Sequence, residues 1–425
     1  MTYNQTRFPT ASGDPLGTAS RRAALRVLDA VLRRGESLEA ALPGATRAVH
    51  GPDRGLAHAI AAEALRWLPD LDALIDAQTR QRLPDDAKAR FALRVALVQV
   101  LRLNTPPHAA IATVLPLVDG GPRKLVHGVF GSVVRAGEKL PDIPTLPGDT
   151  AARWSTAWGE EAAQAAARAL AAPPPLDLSL RDDEWSERLD GRTLAPRHVR
   201  LDDATAVPEL PGYAEGGWWV QDLAASLPAR LLGTGSGTVL DLCAAPGGKT
   251  CQLAAAGWQV TALDQSQSRL ARLRDNLTRT RLIAEVVRAD ALEWSPPAPY
   301  DAVLLDSPCS ASGIFRRHPD VLHRFRPELL DELVSIQARL LARAAAWVRP
   351  GGTLVYATCS LEPAEGEHQA ERFLADHPTY TLVAPAPGEL PVEATGRGWV
   401  RTVPGTLEAQ GGCDGFFAAR FRRAG

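Results

Sequence analysis

Two cysteines carry the sharpest chemical signal in this chain of 425 residues: Cys309 in Asp306-Ser307-Pro308-Cys309-Ser310, and Cys359 in Thr358-Cys359-Ser360. A thiolate is a competent nucleophile. Each cysteine follows a short apolar run, YDAVLLD or GTLVYAT, of the kind that forms a buried strand. If the two strands are neighbours in a parallel sheet, both thiols open on one rim beside a ligand. A polar rim with nearby arginine would lower the thiol pKa. A single cysteine is ordinarily a small buried hydrophobe, and that is the reading for Cys243, Cys251 and Cys413. The odd count of five and the length argue against a disulfide framework, and no C-x-x-C pair suggests zinc.

A second constellation lies upstream. The run TVLDLC leads into Ala244-Ala245-Pro246-Gly247-Gly248-Lys249-Thr250, where a glycine pair permits close backbone approach ahead of a helix whose free N–H groups can face a ligand. The spacing is neither that of a dinucleotide fingerprint nor a full phosphate-binding loop, so a mere structural turn stands as the alternative. The next two apolar runs end at Asp264 and Asp290. An acid at the first position can reach ribose hydroxyls, and one at the second can accept from an adenine amino group. Either alone could be a helix cap. Three such features on consecutive strand ends favour a nucleoside cofactor.

These residues must be positioned by strands alternating with helices. TVLDLC, WQVTALD, AEVVRAD, YDAVLLD and GTLVYATC predict strands, with helices over Ser268–Thr280 and Pro327–Val348. That alternation predicts a doubly wound parallel sheet, with GWVRTVP and DGFFAARF closing it as a terminal hairpin. The N-terminal third differs: AALRVLDAVLRR, AHAIAAEALRWL and ALRVALVQVLRL repeat at helical spacing and predict an all-α bundle. PDIPTLPGDT, with three prolines, reads as a linker, and the Ala-rich stretch 151–170 as one helix before a strand in LDLSLRDD.

Composition sets the limits. Lys plus Arg sum to 47 and Asp plus Glu to 49, a formal charge of −2, which excludes a globally basic nucleic-acid wrapper and leaves only a local basic patch. No apolar run approaches the ~18 residues of a membrane span, and a soluble cytoplasmic monomer is expected.

LDLCAAPGGKT, DSPCSASGIFRRHPD and GTLVYATCS together resemble the motifs of the RNA cytosine-5 methyltransferases, in which Pro-Cys pairs with Thr-Cys. VQDLAA, DQSQSRLARLRDN and CDGFFAARF agree. SRRAALRVLDAVL, DRGLAHAIAAEALRWLPDLDALI and TPPHAAIATVLPLV resemble the NusB-like domain of the Sun, or Fmu, subfamily of bacterial small-subunit ribosomal RNA methyltransferases. The chain departs from that pattern at Ser307, usually Ala, at Asp182, usually Asn, and in Gly131-Ser132-Val133-Val134-Arg135, where an Asn-Ala-x-Leu-Arg stretch is usual.

The resemblance implies a disordered tail (1–20), a NusB-like helical RNA-binding domain (21–140), a linker (141–150), a small α/β RNA-binding subdomain (151–215) and a Rossmann-like class I methyltransferase domain (216–425). It implies S-adenosylmethionine as cofactor, held by Cys243, Ala244, Ala245, Pro246, Gly247, Gly248, Lys249, Asp264, Arg269, Asp290 and Asp306. It further implies 16S ribosomal RNA as the partner, free or in an early assembly particle. Cys359 is then the nucleophile that adds to carbon 6 of cytosine, Asp306 grips the base's N3 and amino edge, Cys309 assists release, and Lys249 lies at the active site. The target base must be unstacked to be reached. Beside such a pocket the run Arg316, Arg317, His318 reads as phosphate binding, with Arg324 and Arg326 behind it and Arg21, Arg22, Arg33, Arg34 and Arg54 extending the track. A DNA cytosine-5 methyltransferase would use the Pro-Cys cysteine as nucleophile, and the second cysteine argues against it. A non-catalytic assembly factor would have lost a cysteine or the glycine pair. An amino-group methyltransferase would carry an Asn/Asp-Pro-Pro-aromatic loop in place of DSPC.

Overall fold

The computed structural model describes residues 13–202 and 206–425. Of the predicted 1–20 tail, residues 1–12 lie outside the described residues, while Thr18 to Ser20 already belong to a helix, Thr18–Arg34. The chain divides into two compact units: Met1–Arg153, Ala166–Ala172 and Arg317–Phe325 in one, Trp154–Ala165, Pro173–Arg316 and Arg326–Gly425 in the other.

The first unit is helical, as the periodicity predicts. Thr18–Arg34 ends at Gly35, whose φ of 70° lets its N–H return to the Val31 carbonyl. Ser37 then caps Leu38–Ala45 by accepting from the Ala40 N–H. Lys88–Leu101 is buried almost all round, which explains why its sequence is apolar on every face rather than on one stripe. Its two buried arginines are ion-paired: Arg94 with Asp72 at 2.7 Å, and Arg90 with Asp72 and Asp76. Leu28, Ile60, Trp67 and Phe130 pack around it. The proline-rich linker is not loose, because Thr145 donates from its N–H and Oγ1 to Asp70 at 2.9 and 2.7 Å.

In the second unit, β1 (Leu176–Leu180), β2 (Arg192–Ala195), β3 (His198–Leu201) and β4 (Trp218–Val220) form an antiparallel sheet in the order β2-β3-β1-β4. β4 lies beyond the expected boundary at 215/216 and pairs with β1. The predicted single helix over 151–170 is two, Gly148–Trp158 and Glu160–Leu170, divided at Gly159, where φ is 86°.

The main sheet contains β5 (Thr238–Leu242), β6 (Gln259–Asp264), β7 (Glu285–Arg288), β8 (Tyr300–Asp306), β9 (Val348–Thr358), β10 (Tyr380–Leu382), β11 (Val400–Thr402) and β12 (Phe416–Arg423). Its order is β10-β12-β9-β8-β5-β6-β7, with β11 also paired to β12. β5 to β9 are parallel, and β12 runs antiparallel to β9 and β11 as the terminal segments predict. Strand order reverses at β5, so the crevice outside the carboxyl ends of β5 and β8 is the switch point where ligands bind in this architecture. Leu240, Leu242, Val303, Leu305 and Leu354 fill the layer under that crevice, each fully buried, as expected for strands covered on both faces.

Candidate active site

β8 and β9 are neighbours, in register from Ala302↔Thr353 to Asp306↔Ala357, so the loops that follow them leave the sheet side by side. Cys309 Sγ and Cys359 Sγ lie 3.4 Å apart. The approach depends on Gly313: a Cβ there would come within 2.0 Å of the Gly415 carbonyl and 2.9 Å of the Cys359 carbonyl. The Gly313 N–H in turn donates to the Cys359 carbonyl at 3.0 Å. The expected lowering of the thiol pKa by arginine does not hold for Cys309. Its hydrogen bond with Cys359, burial, and the negative charges of Cys359 and Glu365 all push that thiol well above its ordinary range.

Beside the thiols, Lys249 Nζ donates to Asp306 Oδ2 at 2.7 Å, with the lysine side chain only 11% exposed, and sits 5.1 Å from the Phe416 ring centroid. Lys249 occupies the first turn of the helix Gly248–Ala255, where a cation is disfavoured by the helix N-terminus, so the Asp306 carboxylate is what balances it. Phe416, at the start of β12, gave no signal in the sequence beyond its apolar run.

The glycine-bearing turn is a cradle. Gly247 adopts φ 106°, and a Cβ there would come within 2.8 Å of Leu273. Cys243 holds the left-handed φ of 58°, and Ala245-Pro246 is a cis peptide bond. Asp264 is buried and accepts from the Ala245 N–H at 3.2 Å and the Ser266 N–H at 2.8 Å, bringing the end of β6 against this turn. Arg269 reaches Asp264 at 3.5 Å and donates to the Ala245 carbonyl. Asp290 is exposed and accepts from the Leu292 N–H at 2.8 Å in a turn, with no helix following for it to cap. With two N–H donors and the Arg269 guanidinium against it, Asp264 retains spare acceptor capacity.

Asp241, read in the sequence only as part of a strand, is fully buried in β5 and lines a cavity of about 390 Å³ together with Gln221, Ala244, Gly248, Lys249 and Asp306. Thr250 Oγ1 donates to its Oδ2 at 2.6 Å, and its Oδ1 has no protein partner. Burial pushes its carboxyl up to about 7, with the Asp306 and Asp264 charges adding to the effect. A charged residue inside an apolar strand run is anomalous on its face, and that anomaly was the available signal.

The predicted phosphate track needs correction at Arg316 and Arg21, which are buried. Arg316 is 3% exposed and pairs with Asp222 and Asp414, both at 3.1 Å, so it serves the interior rather than a nucleic acid. Arg21 is buried on Gln99, and Arg22, Arg33 and Arg34 are paired with Asp14, Asp29 and Glu36. Arg324 donates to the Gly35 carbonyl at 2.9 Å and pairs with Asp320. Arg317 and His318 are half-buried, while Arg54 and Arg326 are exposed. Among the described residues no His/Cys/Asp/Glu group could hold a metal ion, and no helix is long and apolar enough to cross a membrane.

A parallel sheet with a glycine-bearing turn after its first strand, acids on successive strand ends and two thiols at the switch point define a methyltransferase of the Rossmann-like kind. Residues 231–422 match the 16S rRNA methyltransferase RsmB/F family, and residues 18–135 match the NusB family. The chain is 33% identical to ribosomal RNA small subunit methyltransferase B of Cronobacter sakazakii, covering 94% of this chain and 97% of that protein. It is 38% identical to the protein of the same name from Xylella fastidiosa, over 95% and 98%. The chain therefore belongs to the ribosomal RNA small subunit methyltransferase B family. Its fold is shared with the crystal structure of PH0851, at TM-score 0.73 and 22% identity over 97% of this chain and 100% of that one. It is shared too with NSun6 from Pyrococcus horikoshii, solved with SFG, at TM-score 0.56 and 18% identity over 66% and 98%.

Proposed function

We propose that this protein transfers a methyl group from S-adenosylmethionine to carbon 5 of a cytosine in 16S ribosomal RNA, through a covalent bond between Cys359 and carbon 6. The observation that carries this reading is the pair of thiols 3.4 Å apart on neighbouring strand ends, next to the Lys249–Asp306 pair at 2.7 Å. It acts in the cytoplasm, as a monomer, on free RNA or an early assembly particle.

The residues present fit the cofactor. The cradle at Gly247 and Gly248, the spare acceptor capacity of Asp264 and Asp290, and the unpartnered Asp241 Oδ1 offer a site for a nucleoside carrying a cationic donor. S-adenosylmethionine, when bound, supplies an electrophilic methyl group.

Carbon 5 of cytosine is a weak nucleophile. When the Cys359 sulfur forms a bond to carbon 6, the electron pair of the 5,6 double bond becomes available at carbon 5. Asp306 holds the N3 and amino edge of the base, and Lys249 fixes Asp306 by their ion pair. Release requires the carbon 5 proton to leave and the sulfur–carbon 6 bond to break, its electron pair returning to Cys359. Cys309 takes up that proton in this reading, supported by its sulfur lying 3.4 Å from that of Cys359. The base must be unstacked to enter. Arg317 and His318, on the segment after the Cys309 loop, are the phosphate contacts retained from the predicted run.

The test is denaturing gel mobility after mixing ribosomal RNA and S-adenosylmethionine with wild type, Cys309→Ala and Cys359→Ala. A protein–RNA adduct that accumulates with Cys309→Ala and is absent with Cys359→Ala is expected. The reverse pattern would move the nucleophile to Cys309, and methyl transfer by Cys359→Ala would end the covalent reading.

A further inference from the structure

The mechanism above leaves one buried acid without a task. Glu365 is completely buried, on the short turn Pro363–Glu365 six residues beyond Cys359. Its Oε1 accepts from the Ser310 N–H and from Gln337 Nε2, both at 2.9 Å. Its Oε2 accepts from Ser310 Oγ and Ser360 Oγ, both at 2.5 Å. Four donors converge on two oxygens, which uses every acceptor site the carboxyl group offers. A carboxylate buried this deeply is tolerated because its hydrogen bonding is complete.

The distribution of those bonds is uneven between the two cysteines. Ser310, immediately after Cys309, gives Glu365 both its N–H and its hydroxyl. Gln337, the third donor, also donates to the Pro308 carbonyl at 2.9 Å, immediately before Cys309. Both chain neighbours of Cys309 are thus tied to one carboxylate. Cys359 is held by other means: it continues β9, the carbonyl of Ala357 two residues before it accepts from the Ser307 N–H at 2.9 Å, and its own carbonyl accepts from Gly313. On that side the Glu365 carboxylate takes one bond, from the Ser360 hydroxyl, while its backbone carbonyl accepts from the Tyr356 hydroxyl of β9 at 2.7 Å.

We propose that Glu365 is a positioning residue for the release half of the reaction, holding the Cys309 loop where its sulfur meets that of Cys359. This rests on the Cys359 reading above. Loss of the carboxylate loosens the loop that carries Cys309 more than the strand end that carries Cys359, so attack survives better than release.

Glu365→Gln tests this, because it keeps the size of the side chain but turns an amide NH2 toward two donors. With full-length protein, ribosomal RNA and labelled S-adenosylmethionine, we expect the variant to accumulate the covalent protein–RNA adduct while its turnover falls at least about tenfold and KM for RNA changes by less than about threefold. A merely structural role would lower adduct and turnover together, in proportion to the folded fraction read from a thermal melt, and that result would overturn the inference. Wild-type turnover without accumulated adduct would overturn it too. If Glu365→Gln does not fold, Ser310→Ala decides, since it removes one of the four bonds: partial adduct accumulation supports the inference, and wild-type behaviour ends it. Turnover by Cys359→Ala would bring down the covalent reading and this inference with it. Inactive Cys359→Ala beside a normal Glu365→Gln would bring down only the inference.

Discussion

Single side chains in this protein are explained by what faces them rather than by their type. Lys249 is a first-turn lysine in the sequence, yet in the fold it is the partner of Asp306 and packs near Phe416. Lys249→Met should leave the melting temperature close to that of wild type and lower the methyl-transfer rate by about 10²-fold, the scale of losing one preorganised charge. An unchanged initial rate would remove Lys249 from the site. Asp241 yields a prediction of pH dependence. Its carboxyl is raised in the folded protein to about 7 from an ordinary value of 3.8. The folded state therefore favours the protonated form: the contribution to stability is full below the unfolded value and is lost as pH rises toward 7. Asp241→Asn removes that loss, so its melting temperature relative to wild type should be higher at pH 8 than at pH 5. A difference independent of pH would show that Asp241 does not titrate in this range.

At the scale of elements, the small antiparallel sheet depends on one buried ion pair. Arg200 on β3 donates from Nε and Nη2 to the two oxygens of Asp177 on β1, at 2.6 and 2.7 Å, and Asp177 also accepts from the Leu223 N–H at 3.0 Å. Burial alone would raise the Asp177 carboxyl, but Arg200 and His198 outweigh it and hold it below the ordinary carboxylate range. Arg200→Ala leaves that charge buried and uncompensated, at an expected cost of about 3–5 kcal/mol measured by urea unfolding. A cost under about 1 kcal/mol, the value of an exposed pair, would show that water reaches Asp177 in the variant. The pair joins a strand to the start of the helix Leu223–Arg230, which lies just ahead of β5. Its loss should therefore reach the cofactor turn as well as the sheet.

For the whole molecule, several of the arginines predicted to meet phosphate are instead spent on the fold. The formal charge is −2, and the arginines nearest the Cys309 loop in sequence are held internally, Arg316 on Asp222 and Asp414 and Arg324 on Asp320. Binding to ribosomal RNA should accordingly show a shallow dependence on salt, a log–log slope of roughly −3, corresponding to about four phosphate contacts at ~0.7 each for single strands. Arg316→Ala should destabilise the protein and leave that slope unchanged in filter-binding measurements across salt concentrations. A reduction of the slope by about 0.7 would restore Arg316 to the phosphate track.

Much of this was already legible in the residues. The period of the apolar pattern is a local property, and it sufficed for the N-terminal helices, for β5 to β9 and for the terminal β12. The strand ends at Asp264 and Asp306, and the loops carrying Cys309 and Cys359, followed from that pattern, because in a parallel sheet every carboxyl end faces the same rim, whereas β7 stops at Arg288, short of the expected Asp290. What local pattern could not decide was which charges meet. Arg316 reads as a surface residue in an Arg-Arg-His run, and only the approach of Asp222 and Asp414 from distant parts of the chain makes it a buried one. Glu365 reads as one acid among several in EPAEGEH, and only the convergence of Ser310, Ser360 and Gln337 gives it a place. The short strands β2, β3 and β4 escaped notice for a related reason: three or four residues hold too little periodicity to show, and such strands exist because their neighbours pair with them. Secondary structure and the position of the rim were determined by the sequence alone through short-range sterics and burial. The pairing of charges and the 3.4 Å between the two sulfurs were decided by tertiary structure, because electrostatic and hydrogen-bond energies depend on distances that chain separation does not contain.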